Sequence, residues 1–148
     1  MAMTMNGEVQ LAAPREAVWA KLNDPEVLKV CIPGCEELEK TEDNGFRAVA
    51  KMKVGPVSAR FKGRVTLSDI DPPNGYKISG EGEGGVAGFA KGGATVALSD
   101  KDGGTLLSYD VEAQIGGKLA QLGQRLINGT AKKLADEFFA NFAKAVQG

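Results

Sequence analysis

Apolar and polar residues alternate along most of this chain. The alternation runs from Met3 to Leu11, and from Gly45 it continues for about seventy residues, broken only by turn signals such as Gly55-Pro56 and Asp102-Gly103. A period of two places apolar side chains on one face of a strand and polar side chains on the other. We therefore predict an N-terminal strand, a short strand at about 36–40, and then a meander of long antiparallel strands with one wet face.

Two short helices are predicted between the first strand and the rest of the sheet. Pro14 suits the first turn of a helix that extends to about Leu22. Asp24-Pro25 then starts a second helix that ends near Cys31.

A third helix is predicted at the C-terminus. From Lys118 an apolar stripe with helical spacing indicates one helix of up to thirty residues. Gly123 and Gly129 lower its intrinsic stability by about 1 kcal/mol each, so we expect packing across the sheet to hold it. The predicted fold class is α+β: a helix-grip arrangement in which a curved antiparallel sheet of about seven strands wraps around a long C-terminal helix, in a single domain over 1–148.

The inward positions of the predicted strands are mostly small. They are Ala48, Ala50, Ala59, Gly63, Gly80, Gly82, Ala94 and Ala113, with Gly88, Ala90 and Gly92 expected among them. Glycine within a strand serves either the close approach of another backbone or the creation of space. In one interpretation Trp19, Phe138 and Phe142 fill this face; in the other, which we favour, an apolar cavity remains under the long helix.

A ligand site follows from the second interpretation. We predict a cavity whose lining residues are Phe61, Tyr76, Phe89, Tyr109, Leu122 and Leu126, with Leu28 and Ile32 near its mouth. None of the inward positions is Asp, Glu, Lys or Arg, and the chain has no histidine, so general acid–base catalysis lacks its usual groups. We therefore expect no catalytic residues, no cofactor and no enzyme activity.

Charge and cysteine content argue against nucleic acids and metal ions as partners. The net charge of −1 and a pI near 5.6 are untypical of nucleic-acid binders. Cys31 and Cys35 lack the additional ligands that a zinc site needs, so we predict two structural thiols and no metal. A redox pair is the alternative, although three residues separate the two cysteines instead of the two of the thioredoxin motif. With no signal peptide and no apolar run long enough to span a bilayer, the sequence favours a soluble, cytoplasmic protein.

One face of the predicted sheet is strongly basic. Two adjacent strands project the cationic side chains Arg47, Lys51, Lys53, Arg60, Lys62 and Arg64 to the outside. This pattern is compatible with a solvated sheet face that discourages edge aggregation. It is also compatible with a docking surface for anionic lipid head groups or an acidic protein.

Several local motifs resemble one protein family. They are Ala13-Pro14 to Trp19, Asp24-Pro25-Glu26-Val27-Leu28, Cys31-Ile32-Pro33-Gly34-Cys35, Lys53-Val54-Gly55-Pro56-Val57, Asp71-Pro72-Pro73, Gly103-Gly104-Thr105 and Gly116 to Gly123. With the predicted element order, they resemble the helix-grip superfamily of START-related and pollen-allergen-type ligand carriers. More narrowly, the chain resembles the G-subunit family of carbon monoxide dehydrogenase.

The resemblance implies an accessory protein of a carbon monoxide dehydrogenase-type molybdenum hydroxylase, acting in enzyme maturation or recruitment to the membrane. It implies no catalytic residues. Longer members continue into a linker and an apolar tail, whereas this sequence stops at Gly148, so we expect peripheral membrane contact or simple ligand carriage.

Three functions follow from the sequence. The leading hypothesis is a carrier of an apolar small molecule such as a lipid or quinone. The second is a protein–protein adaptor with a filled core that docks through the basic face. An enzyme of the same superfamily is the least favoured, because no inward acid or base is present.

Overall fold

A seven-stranded antiparallel sheet packs against the C-terminal helix in the computed structural model, which describes residues 1–147. The strands are β1 (Ala2–Leu11), β2 (Cys35–Thr41), β3 (Gly45–Val54), β4 (Val57–Asp71), β5 (Gly75–Glu83), β6 (Phe89–Lys101) and β7 (Gly104–Gly116). The helices are α1 (Arg15–Leu22), α2 (Pro25–Cys31), α3 (Lys118–Gln121) and α4 (Gln124–Gln147). The spatial strand order is β1-β7-β6-β5-β4-β3-β2. The predicted α+β fold and its strand order along the chain are confirmed.

The two short helices begin where the sequence predicts. Asp24 caps α2, because its side chain accepts a hydrogen bond from the backbone N–H of Glu26 at 3.0 Å, and Pro25 occupies the first helical position. Asn23 ends α1 and donates from its side chain to the carbonyl of Trp19 at 2.9 Å. This sharp α1–α2 connection places both helices over one end of the sheet.

The long C-terminal helix is divided, contrary to the sequence prediction. Gly123 has a φ of +93°, which no continuous α-helix contains, and it separates the single turn α3 from the 24 residues of α4. No atom lies within 4 Å of the Cβ that another residue would add at this position. The backbone conformation, and not crowding, is therefore the reason for glycine here. The break redirects the chain between α3 and α4.

The hydrophobic core consists of two clusters. One gathers around α1, α2 and the C-terminal part of α4, where Val18, Cys31 and Phe142 are completely buried. The other lies where α3 and the start of α4 meet the sheet, and includes Leu119 and Ile127. Between these two clusters the helix and the sheet enclose the space described below.

A buried hydroxyl ties the end of β1 to the start of β7. Thr105 is fully buried, and its Oγ1 donates to the carbonyl oxygen of Ala13 at 2.7 Å. Its neighbour Gly104 has no room for a side chain, since a Cβ there would lie 2.2 Å from the carbonyl oxygen of Leu11. The Gly103-Gly104-Thr105 motif therefore holds the β1–α1 connection against the sheet.

Candidate functional site: two adjoining apolar cavities

A cavity of about 400 Å³ lies between α4, the two short helices and the sheet. We call it the aromatic cavity, because five aromatic side chains line it: Phe46, Tyr76, Tyr109, Phe138 and Phe139. Leu22 of α1 and Leu28 of α2 close it at the end covered by the short helices, and Ile32 follows α2. Its volume falls in the range of ordinary small-molecule sites.

A second cavity of about 360 Å³ adjoins it toward α3. We call it the small-residue cavity, because glycine and alanine supply much of its wall: Ala48, Ala50, Gly63, Gly82, Ala90, Ala113 and Ala131. Ile32, Ala48 and Gly63 line both cavities and form the boundary between them. The small inward residues of the strands therefore leave space, in agreement with the interpretation favoured from the sequence.

Neither cavity is lined by a charged residue of the described chain, 1–147. The hydroxyl groups of Tyr76, Tyr109 and Thr130 are the polar side-chain groups among their lining residues. Tyr76 is only 7% exposed, and burial raises the pKa of its phenol to about 12. Tyr76 therefore stays neutral at physiological pH.

The two tyrosines are held by different aromatic partners. The ring of Tyr76 meets Trp19 of α1 edge-on, with 5.3 Å between ring centroids. The ring of Tyr109 stacks on Phe139 of α4 at 5.1 Å. Tyr109 separates the aromatic cavity from an open groove between β1 and α4, since it lines both.

Five of the eight predicted ligand-site residues lie at these cavities. Leu28, Tyr76 and Tyr109 line the aromatic cavity, Phe61 lines the small-residue cavity, and Ile32 lines both. Their role in ligand binding stays a prediction.

Phe89 lies on the opposite face of the sheet from the cavities. It is 49% exposed and borders a shallow depression with Lys62, Glu83 and Lys91, whereas its neighbour Ala90 lines the small-residue cavity. Consecutive residues of a strand point to opposite faces, so Phe89 and Ala90 cannot both face inward. The placement of Phe89 in the cavity was wrong for this reason.

Leu122 and Leu126 also lie outside the cavity walls. Both pack against the second core cluster, and a Cβ added at Gly55 would come within 2.7 Å of the Leu126 side chain. Leu126 thus lies against the β3–β4 turn, whereas Leu119 and Ile127, on either side of the break at Gly123, line the small-residue cavity.

Sequence reasoning missed Phe139 as a lining residue. It assigned the inner stripe of the C-terminal helix through Phe138 and Phe142, but Phe139 also faces the aromatic cavity, together with Ala135. The signal available was the spacing of four residues between Ala135 and Phe139, which places both on one helical face. A stripe one residue wider would have included Phe139.

The glycines of the inward face divide into two kinds. A Cβ at Gly63 or Gly82 would meet neighbouring atoms at ordinary distances of 3.5 Å or more, and both residues line a cavity. A Cβ at Gly92 would lie 2.0 Å from the carbonyl oxygen of Glu112. Gly92 therefore permits close approach of β7, whereas Gly63 and Gly82 create space.

The basic outer face carries acidic partners that the strand pattern did not reveal. Its arginines form ion pairs: Arg47 with Glu39 at 3.3 Å, Arg60 with Glu36 at 2.6 Å and Arg64 with Asp43 at 2.8 Å. The hydrogen bond from Arg60 holds the pKa of Glu36 below its ordinary value. On the other side, Lys62 and Arg64 pair in register with Glu83 and Glu81 of β5. The face is therefore mixed in charge, and its role in docking stays a prediction.

The two cysteines differ in their surroundings. Cys31 is fully buried in the core, and burial raises the pKa of its thiol. Burial is also the main cause that raises the pKa of Cys35, whose Sγ donates to the carbonyl oxygen of Glu37 at 3.3 Å. Raised pKa values keep both thiols protonated and poorly nucleophilic. Within 1–147, no group of three or more His, Cys, Asp or Glu side chains is placed to bind a metal ion.

Comparison with known proteins identifies the family. A family profile that describes the G subunit of carbon monoxide dehydrogenase (CoxG) matches residues 7–147. The chain belongs to the CoxG family. A search of curated proteins found no match to this CoxG-family chain.

Solved structures share its fold. A conserved protein from Geobacillus kaustophilus is 35% identical, with a TM-score of 0.92 over 98% of this chain and 95% of that chain. An uncharacterized protein from Rhizobium leguminosarum is 17% identical, with a TM-score of 0.74 over 99% of this chain and 95% of the other. The Zhui aromatase/cyclase from Streptomyces sp. R1128 is 13% identical, with a TM-score of 0.72 over 99% of this CoxG-family chain and 94% of the cyclase. The latter two likenesses concern the fold alone.

Each helix of this CoxG-family chain within residues 1–147 is either too short or too polar to cross a lipid bilayer.

Proposed function

We propose that this CoxG-family chain is an accessory protein that carries a neutral, apolar small molecule in its two adjoining cavities. The observation that carries the proposal is an open space of ligand size whose lining is almost entirely apolar. Protein interiors otherwise pack to nearly crystalline density, so two such spaces side by side favour a binding role.

The chemistry of the walls favours an uncharged ligand. No lysine or arginine of residues 1–147 lines either cavity, so a carboxylate or phosphate inside would have no cationic partner. Transfer of an unpaired charge from water to such a site is strongly unfavourable. A lipid-like or quinone-like molecule without a charge meets this condition.

Family membership supports the cellular setting of the proposal. We infer that the chain serves a molybdenum hydroxylase of the carbon monoxide dehydrogenase type, in its maturation or its recruitment to the membrane, and delivers or accepts the carried molecule there. Peripheral contact with the cytoplasmic face of the membrane belongs to the same proposal.

An enzymatic role receives less support from the site. Aromatase/cyclases share the fold, but general acid–base catalysis needs a group that titrates near neutral pH or a suitably placed carboxylate. The lining residues of the two cavities include neither, and the raised pKa of Tyr76 removes its phenol from this range. The chain is therefore proposed as a non-enzyme.

The adaptor hypothesis with a filled core also receives less support. It requires Trp19, Phe138 and Phe142 to occupy the space beneath the helix. Phe142 instead lies fully buried in the first core cluster, and Phe138 contributes to the cavity wall.

Native mass spectrometry of the purified protein tests the carrier proposal. We expect a co-purifying species that is released by organic solvent and is uncharged at neutral pH. The variant for comparison is Gly63→Leu, which should fill the space and remove the bound species. Residue 63 lines both cavities, and a Cβ there meets no atom closer than 3.5 Å. A folded Gly63→Leu protein that retains the same species at the same stoichiometry would contradict binding in the cavities.

A further inference from the structure

Tyr76 lines the aromatic cavity and carries one of the few polar groups among its lining residues. Its side chain comes from the start of β5, is 7% exposed, and lies against Trp19 of α1. Nothing in residues 1–147 is placed to form a hydrogen bond with its oxygen, although every completely buried side-chain nitrogen or oxygen in this range has a partner. The Tyr76 oxygen therefore retains accessible surface, and the aromatic cavity is the space that the residue lines.

The other hydroxyl groups at the core are placed differently. Thr105 is also buried, but its Oγ1 is used in the hydrogen bond to Ala13. Tyr109 reaches β1 with its hydroxyl end, since a Cβ at Gly7 would lie 2.5 Å from its oxygen. The Tyr109 hydroxyl therefore lies toward β1, which leaves Tyr76 as the phenol considered for an occupant of the aromatic cavity.

We propose that the Tyr76 hydroxyl donates a hydrogen bond to a neutral oxygen acceptor of the carried molecule, a carbonyl, ester or ether oxygen. This inference rests on the proposed carrier function and names the chemical class of its ligand. The acceptor-bearing end lies beneath α1 beside Trp19, and the apolar remainder extends past Ala48 and Gly63 into the small-residue cavity. A ligand that is a pure hydrocarbon would leave the Tyr76 hydroxyl without a hydrogen-bond acceptor.

The protonation state of the phenol agrees with this role. Because burial raises the pKa of Tyr76 to about 12, the group carries its proton throughout the physiological range and remains a donor. A charged acceptor is disfavoured, because no cationic side chain in the described range lines the cavity to compensate it.

Two fluorescent naphthalenes test the proposal. The first is 6-propionyl-2-dimethylaminonaphthalene, which has a ketone oxygen; the second is N-phenyl-1-naphthylamine, which has no oxygen. For Tyr76→Phe we expect the dissociation constant of the ketone probe to rise about 2- to 13-fold, the net effect of one hydrogen bond. The oxygen-free probe should change less than about twofold, since it makes no such bond. The control is Phe89→Leu on the opposite face of the sheet, which should leave the affinities of both probes unchanged.

A second measurement uses the wild-type protein and does not depend on a folded variant. The infrared carbonyl stretch of the bound ketone probe should lie below its frequency in hexane, as a hydrogen bond requires. An unshifted stretch, or an equal loss of both probes in folded Tyr76→Phe, would overturn the assignment of Tyr76 while leaving the carrier function intact. Failure of both probes to bind the wild-type protein would instead count against the carrier function and this inference together.

Discussion

Gly7 of β1 lies directly beneath the ring of Tyr109 of β7, its partner in the antiparallel register. A Cβ at residue 7 would be 2.5 Å from the Tyr109 hydroxyl oxygen and 2.7 Å from Cζ. The same ring also stacks on Phe139 of α4. The absence of a side chain at one position of the edge strand thereby sets the position of an aromatic wall of the cavity.

Gly7→Ala should displace this ring. Since Tyr109 is confined between β1 and Phe139, we expect the free energy of unfolding in urea to fall by about 1–3 kcal/mol, the usual range for overpacking. In a Tyr109→Leu background the same change at residue 7 should be nearly neutral, because the clashing atoms are gone. An equal loss of stability in both backgrounds would show that residue 7 matters for another reason, such as strand flexibility.

Alkaline pH should destabilise the protein through Tyr76. Its pKa is about 12 in the folded protein, against an ordinary value of about 10 in the unfolded chain. Between these two values the unfolded state releases the proton and the folded state keeps it, so stability falls as pH rises through this window. The loss approaches about 3 kcal/mol at its upper end. Urea unfolding at pH values from about 9 to about 11.5, which span most of this window, should show a smaller decline for Tyr76→Phe than for wild type. Parallel declines would contradict the prediction.

Strand and helix positions were predictable because they depend on local patterns. The period of two defines which strand residues share a face, and Asp24-Pro25 is a local start signal for a helix. The break at Gly123 was harder to predict, because the sequence does not show whether a glycine adopts a helical conformation or a positive φ. Leu122 and Leu126 flank this break and lie outside the cavity linings, whereas Leu119 and Ile127 line the small-residue cavity.

The cavity itself was predictable in outline but not in detail. Small inward residues indicated either space or close backbone approach, and the sheet contains both cases, with Gly82 as space and Gly92 as close approach. The distance to the backbone of the neighbouring strand distinguishes them, and no residue pattern reports that distance. The ion pair of Arg60 with Glu36, 24 positions apart in sequence, is similarly a product of the folded sheet.

Gly82 and Gly92 provide a matched pair of variants. Gly82→Leu should fill part of the small-residue cavity, because a Cβ there meets neighbours at 3.7 Å or more. We expect its free energy of unfolding to change by no more than about 1 kcal/mol, while binding of N-phenyl-1-naphthylamine is strongly reduced. Gly92→Ala should destabilise by about 2–4 kcal/mol, because its Cβ would meet the backbone of β7, yet the remaining folded protein should bind the probe. The reverse assignment of the two effects would contradict the geometry.

The last prediction concerns the outer face of β3 and β4, where positive and negative side chains are interleaved. Within residues 1–147, Lys51 forms no ion pair, whereas Arg60, its partner in register, is occupied by Glu36. If this face docks on an anionic membrane, Lys51→Glu should weaken binding to vesicles that contain phosphatidylglycerol. Glu36→Gln should strengthen it, because that change removes the acid that compensates Arg60.

Both changes are on side chains of the outer face, so neither should alter uptake of a ligand in the cavities. Their opposite effects on vesicle binding should shrink together as salt rises from about 50 to about 300 mM, since mobile ions screen exposed charges over about 8 Å at physiological ionic strength. Co-sedimentation of the two variants and the wild type with vesicles at each salt concentration measures this. Because the two substitutions change the net charge in opposite directions, effects of the same sign cannot arise from long-range attraction to an anionic surface. Vesicle binding that is independent of salt concentration, or that changes in the same direction in both variants, would therefore mean that this sheet face is solvated and does not dock on an anionic membrane.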